Sequence, residues 1–171
     1  MDDMALQDLQ LDNPFWAFSG SAWSSQTLRE QLLHAQDSGH VVNLLLFAVW
    51  CSREGLRPSN WQAQHWHDWR LWQQWHAQHT CPVRAQRMQL PREGVTRPLY
   101  QSLLEAELAS EQIEQALLYR YASHFEPIEA SAKSLLEENI ATLLAQTALN
   151  ASTLSKQVMA ELVALLEGCQ Q

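Results

Sequence analysis

Glycine and proline are scarce in this chain, with five Gly and six Pro among 171 residues. Loop-rich β folds and disordered tracts draw on both residues, so neither describes the chain as a whole. Cysteine is scarcer still: Cys51, Cys81 and Cys169 are an odd number, far apart, with no CxxC. That excludes a disulfide framework and a thiolate zinc site, and it fits reduced thiols in a cytoplasmic protein. Long apolar runs are missing too. The longest, Val41 to Cys51, covers 11 residues and is interrupted by Asn43, whereas a membrane-spanning helix needs about 20. Cations are outnumbered, 11 Lys and Arg against 19 Asp and Glu for a net charge of −8. A general nucleic-acid binder needs the opposite balance. No Gly-rich phosphate loop occurs, and no Ser/His/Asp or Cys/His set has a local signature. Catalytic residues are therefore unassigned, and no cofactor is implied.

What is present reads as helix. The 46% hydrophobic content is ordinary for a globular protein, and the apolar positions recur at helical spacing. The expected fold is all-α, a single compact helical domain of about six or seven helices. Residues 1–12 read as a flexible acidic leader without the basic and apolar regions of a signal peptide. Residues 13–126 read as the helical core, and 127–171 as C-terminal amphipathic helices packed on the core or used for association.

Asn13-Pro14 is a helix start, with Asn as cap and Pro in the first turn. A second helix is expected from about Thr27 to Asp37, with Thr27 and Glu30 at capping-box spacing and Ser38-Gly39 as its stop. VVNLLLFAVW is apolar on every side, as a helix surrounded by others would be. Its one polar residue, Asn43, reads as a cap for a helix starting at Leu44 or as a buried polar anchor. Pro58-Ser59-Asn60 introduces a helix holding five of the eight tryptophans. Trp61, Trp69, Trp72 and Trp75 fall on one face with His65, His76 and His79, while Trp66 lies at its edge and His67 points away. Cys81-Pro82 is expected to end or kink this helix before a short basic one, PVRAQRMQL. After a loop from Pro91 to Pro98, a long helix runs to about His124. Two further stripes finish the chain: Leu136, Ile140, Leu143 and Thr147, then Leu154, Val158, Leu162 and Leu165.

Charge is distributed unevenly. Residues 1–50 carry one Arg against six acids, 51–100 seven Arg against three acids, and 101–171 three basic groups against ten acids. The long helix places three glutamates on its apolar stripe: Leu99, Leu103, Glu107, Glu111, Glu114, Leu118 and Tyr121 share one face. Buried carboxylates need cations or donors. Arg84 and Arg87, three apart on the preceding helix, are the expected partners of Glu107 and Glu111. Such a cluster either fixes helix register or, with Arg84, Arg87, Glu107, Glu111, Glu114 and Asn43 as candidates, binds an anionic ligand. A weaker alternative is a metal held by His76, His79, Glu111 and Glu114, although no Glu-x-x-His pair supports it.

VNLLLFAVW, preceded by Phe15-Trp16-Ala17-Phe18 and followed by PVRAQRMQL and EAELASEQIEQ, resembles a family of uncharacterised proteobacterial proteins. These form a domain of unknown function with a VNLLLF-type core helix, and the likeness covers residues 14–118. Trp16, Asn43, Leu44, Phe47, Trp50, Trp72, Arg84, Arg87, Glu107 and Glu111 occupy matching positions. Gln86 and Met88 stand where a richer Arg cluster is usual, which weakens an anion site. The resemblance implies a helical fold and no activity. The resulting expectation is a cytoplasmic, non-enzymatic interaction or adaptor module. It has a protein partner or associates with itself through the C-terminal helices, without nucleic acid or membrane. The alternative is an anionic-ligand binder or metal-dependent helical enzyme built on the Arg84/Arg87 and Glu107/Glu111 cluster.

Overall fold

The computed structural model describes residues 6–58, 63–125, 127–147 and 154–168, and for 63–66 the backbone alone. The readings placed on Ser59, Asn60, Trp61, Cys169 and the side chains of His65 and Trp66 lie outside this set. The chain is all-α, as its periodicity predicts. Its α-helices are α1 (Pro14–Trp23), α2 (Gln26–Asp37), α3 (Val42–Arg53), α4 (Ala63–Trp75), α5 (Cys81–Met88), α6 (Arg97–Ala122), α7 (Ala132–Ala145) and α8 (Lys156–Gly168). A π turn, His76–Thr80, joins α4 to α5 without a break, so the described residues make seven helical rods. Extended pairing among them amounts to one isolated bridge, Leu56 with Pro127. None of the described helices is long and apolar enough to cross a membrane.

The chain divides into two compact units, Met1–Asn13 with Gln62–Tyr121, and Pro14–Trp61 with Ala122–Gln171. The second is built around α3, which buries 11 of its 12 residues. α7 and α8 both pack on α3, and α8 also packs on α2. Phe15 lies against Phe47 and Trp50 at ring separations of 5.3 and 5.6 Å. Buried Asn139 of α7 donates to Ser52 Oγ and Leu56 O, each at 3.0 Å, and so ties α7 to the end of α3. Both α2 and α3 stop in Schellman motifs. Gly39 (φ 91°) and Gly55 (φ 70°) take the left-handed conformation that other residues resist. His40 N then donates to Ala35 O, and Leu56 N to Cys51 O.

Several boundaries differ from expectation, each for a local reason. Ser25, not Thr27, caps α2, its side chain accepting from Leu28 N. α3 begins at Val42 rather than Leu44, so Asn43 lies inside the first turn and is buried there instead of capping. The loop before α6 contains a short 3₁₀ turn, Gly94–Thr96, and α6 starts at Arg97 and ends at Ala122. The buried C-terminal seam is Leu154, just before α8, with Val158, Leu162 and Leu166 of α8, and Leu165 lies at its edge. That seam is taken up within the unit.

The first unit contains α4, the π turn, α5 and α6. Pro82 explains the π turn. A proline amide cannot donate, and its ring collides with the carbonyl four residues back. Widening the turn relieves that collision, and Cys81 N donates to His76 O, five residues earlier. The expected break at Cys81-Pro82 is therefore absorbed, and the rod continues.

Candidate functional site

Pairs between the α4–α5 rod and α6 follow one another as an antiparallel ladder, residue numbers rising on one side as they fall on the other. Arg120 reaches Asp68 at 2.9 Å. Trp69 sits 5.6 Å from the ring of Tyr121 and 4.7 Å from Trp72. The indole N–H of Trp75 donates to Ser110 O at 3.1 Å and Ser110 Oγ at 2.9 Å, while buried Thr80 shares a 2.7 Å hydroxyl contact with the same Oγ. The indole nitrogen of Trp72 is buried with no hydrogen-bond partner. Trp75 meets the expectation that packed indoles find an oxygen, and Trp72 does not.

The glutamate stripe enters this ladder at Glu107. Arg84 Nε donates to Glu107 Oε1 at 2.7 Å, and its terminal nitrogen donates to Glu111 Oε1 at 2.6 Å. Arg87 donates to both oxygens of Glu107, through Nε to Oε2 and at 3.2 Å to Oε1, and also to the Tyr100 hydroxyl at 3.1 Å. Glu107 is 6% exposed and holds two guanidiniums. Burial pushes its carboxyl upward, but hydrogen bonds from Arg87 and Arg84, with their charges, outweigh burial and hold it below the usual value. Glu111 behaves oppositely. Burial, then the charges of Glu107 and Glu114, raise it to about 7 against the pull of Arg84. Arg84 thus meets both Glu107 and Glu111, while Arg87 is taken up by Glu107 and Tyr100.

Glu114, one turn further on, pairs with histidine. His76 Nδ1 lies 2.7 Å from Glu114 Oε1, whose side chain is 1% exposed. Trp72 stacks on the imidazole, with centroids 5.5 Å apart and planes at 17°. On the far side of the ring, Nε2 is 3.2 Å from the Cys81 thiol. His79 instead packs its ring on Trp75 at 4.3 Å. His76 and His79 thus part company, and Glu111 turns to Arg84. Among the described residues no three His, Cys, Asp or Glu side chains converge as metal ligands. Asn43 lies on α3, in the other unit.

Cys81 is the residue that the sequence reading missed. Positions five apart sit about 140° past a full α-helical turn from alignment, so His76 and Cys81 share no helical face by spacing. The π turn brings them together, and Pro82 was the one available signal for it.

A family model described as Protein of unknown function (DUF2390) matches residues 14–118. The chain belongs to this family. No curated protein and no solved structure shows significant similarity to it. In this DUF2390 protein the matched span takes in the Arg84, Arg87, Glu107, Glu111 cluster and the Glu114, His76, Cys81 row alike.

Proposed function

We propose that this DUF2390 protein is a non-enzymatic cytoplasmic interaction module that works by self-association. What supports this is the surface of the α5–α6 hairpin. Its two inward guanidiniums are engaged by Glu107 and Glu111, so the cluster acts as a clamp between helices and offers an incoming anion little free charge. Large apolar side chains stand open on the same hairpin. Leu104 and Leu108, one turn apart on α6, are 40% and 53% exposed; Leu99 at the start of α6, Val95 in the turn before it and Met88 at the end of α5 are exposed as well. Apolar residues at that spacing suit a second helix laid alongside, and an apolar face can meet its own copy. With the α8 seam filled inside its unit, α6 is the better association surface. The negative net charge also disfavours duplex nucleic acid as a partner.

Sedimentation of the full chain over a range of concentrations tests this reading. Association weakened tenfold or more by Leu104→Gln with Leu108→Gln, at unchanged melting temperature, is the expected result. A chain that stays monomeric at every concentration overturns it. Micromolar calorimetric binding of phosphate or citrate, abolished by Arg84→Met, would replace it with an anionic-ligand site.

A further inference from the structure

We propose that Cys81 is a modification site, a surface thiol that exchanges with small disulfides while His76 takes its proton and Glu114 positions His76. The arrangement has the order that nucleophilic sites share: an exposed nucleophile, a half-buried base within reach of it, and a buried carboxylate orienting the base. Cys81 is exposed, and its Sγ lies 3.2 Å from His76 Nε2. His76 Nδ1 lies 2.7 Å from Oε1 of buried Glu114. Held by that carboxylate, Nδ1 carries the proton and Nε2 presents its lone pair to the thiol. Trp72 covers one face of the ring and limits its rotation. Regular helix would separate these two side chains; the π turn that Pro82 imposes brings them together. Turns of this kind concentrate at functional sites.

The charged and titratable groups around the thiol are His76 in the π turn, Arg84 on α5 and Glu114 on α6. Burial pushes the Cys81 thiol up; Arg84 opposes this and Glu114 reinforces it. The resting group is therefore a protonated thiol, and attack requires a base at hand. As Sγ attacks one sulfur of a disulfide R–S–S–R, its proton passes to His76 Nε2. A new Cys81 S–S bond forms and the R–S–S–R bond breaks. The departing thiolate recovers the proton from His76 and leaves as R–SH, with no net oxidation. Cys51 is wholly buried, its thiol pushed well up by burial, and does not compete.

The test uses the full chain with oxidised glutathione, the adduct being located and timed by peptide mass spectrometry. At pH 7 Cys81 should react at least tenfold faster in the folded protein than in urea. Folded His76→Asn should fall to the unfolded rate, and the gap should close toward pH 10, where solvent removes the thiol proton unaided. Glu114→Gln should shift the pH profile in the same direction. Equal rates for wild type and folded His76→Asn at pH 7 would sink the proposal. Where the variant does not fold, the wild-type profile decides. A rate falling the full tenfold per pH unit below the thiol's own pKa rules out help from His76, and a shallower fall supports it.

Discussion

Glu107 carries the largest share of the polar work at the level of single residues, because two guanidiniums, themselves largely buried, depend on it. Removing one partner of a buried pair costs about 3–5 kcal/mol, much of it from the charge left behind. Glu107→Leu removes Arg87's carboxylate and one of the two that hold Arg84, and is expected toward the upper end of that range, with Glu111→Leu well below it. A double-mutant cycle of Arg84→Met with Glu107→Leu should give a coupling above about 1 kcal/mol. The Arg87→Met with Glu111→Leu cycle should be near additive, and a large coupling there would contradict the pairing described. pH separates the same two carboxyls. Glu111 titrates near 7 in the fold and at the ordinary carboxylate value once unfolded. Between those points the fold holds more protons, so this group's stabilisation is complete at low pH and is lost as pH rises to about 7. Glu107, held low, contributes stability above the ordinary value and loses it as pH falls through its lowered one. At about 1.4 kcal/mol per unit, the rise from 4.5 to about 7 limits the Glu111 effect to about 3.5 kcal/mol, reduced further by the 28% of its side chain in water. The melting temperature of wild type should therefore drop more steeply from pH 5 to 8 than that of Glu111→Gln. Parallel melting profiles would count against the raised value.

The π turn is the element on which the register of the first unit depends. Deleting Gln78, exposed and inside it, removes the extra residue and rotates α5 by about 100° against α4. The α4 side of the ladder and the Arg84/Arg87 pairs can then no longer face α6 together. Urea denaturation should show a clear fall in midpoint for this deletion and little change for Gln78→Ala, and equal midpoints would argue that the register is not set there. This turn also marks the limit of what could be read in the sequence. Helices, and the partnership of Arg84 and Arg87 with the glutamate stripe, were legible because 3.6-residue periodicity and charge complementarity act locally. Which Arg meets which Glu was not, because a half-turn of rotation decides it. Cys81 escaped notice for the same reason, since its contact with His76 exists only where the period is broken. The Ser25 cap was overlooked because several hydroxyl residues precede α2, and only the backbone conformation at Ser25 selects one of them.

For the molecule as a whole, the C-terminal helices matter most to the second unit. Leu154, Val158, Leu162 and Leu166 are buried, and at about 1.5–3 kcal/mol for each such side chain they rival the 5–15 kcal/mol that holds a typical domain together. Truncation before Ala151 is therefore expected to abolish cooperative melting of that unit, as thermal denaturation followed by circular dichroism would show; a sharp transition near the full-length temperature would mean that α8 is dispensable. The first unit offers a way to follow the other half of the chain separately. Trp69 and Trp72 hold their indoles 4.7 Å apart at 31°, close enough for their electronic transitions to mix. Such a pair produces a bisignate ellipticity signal that depends on the mutual orientation of two chromophores and not on helix content. Its disappearance marks the moment when the tryptophan row comes apart, whatever the remaining helices are doing.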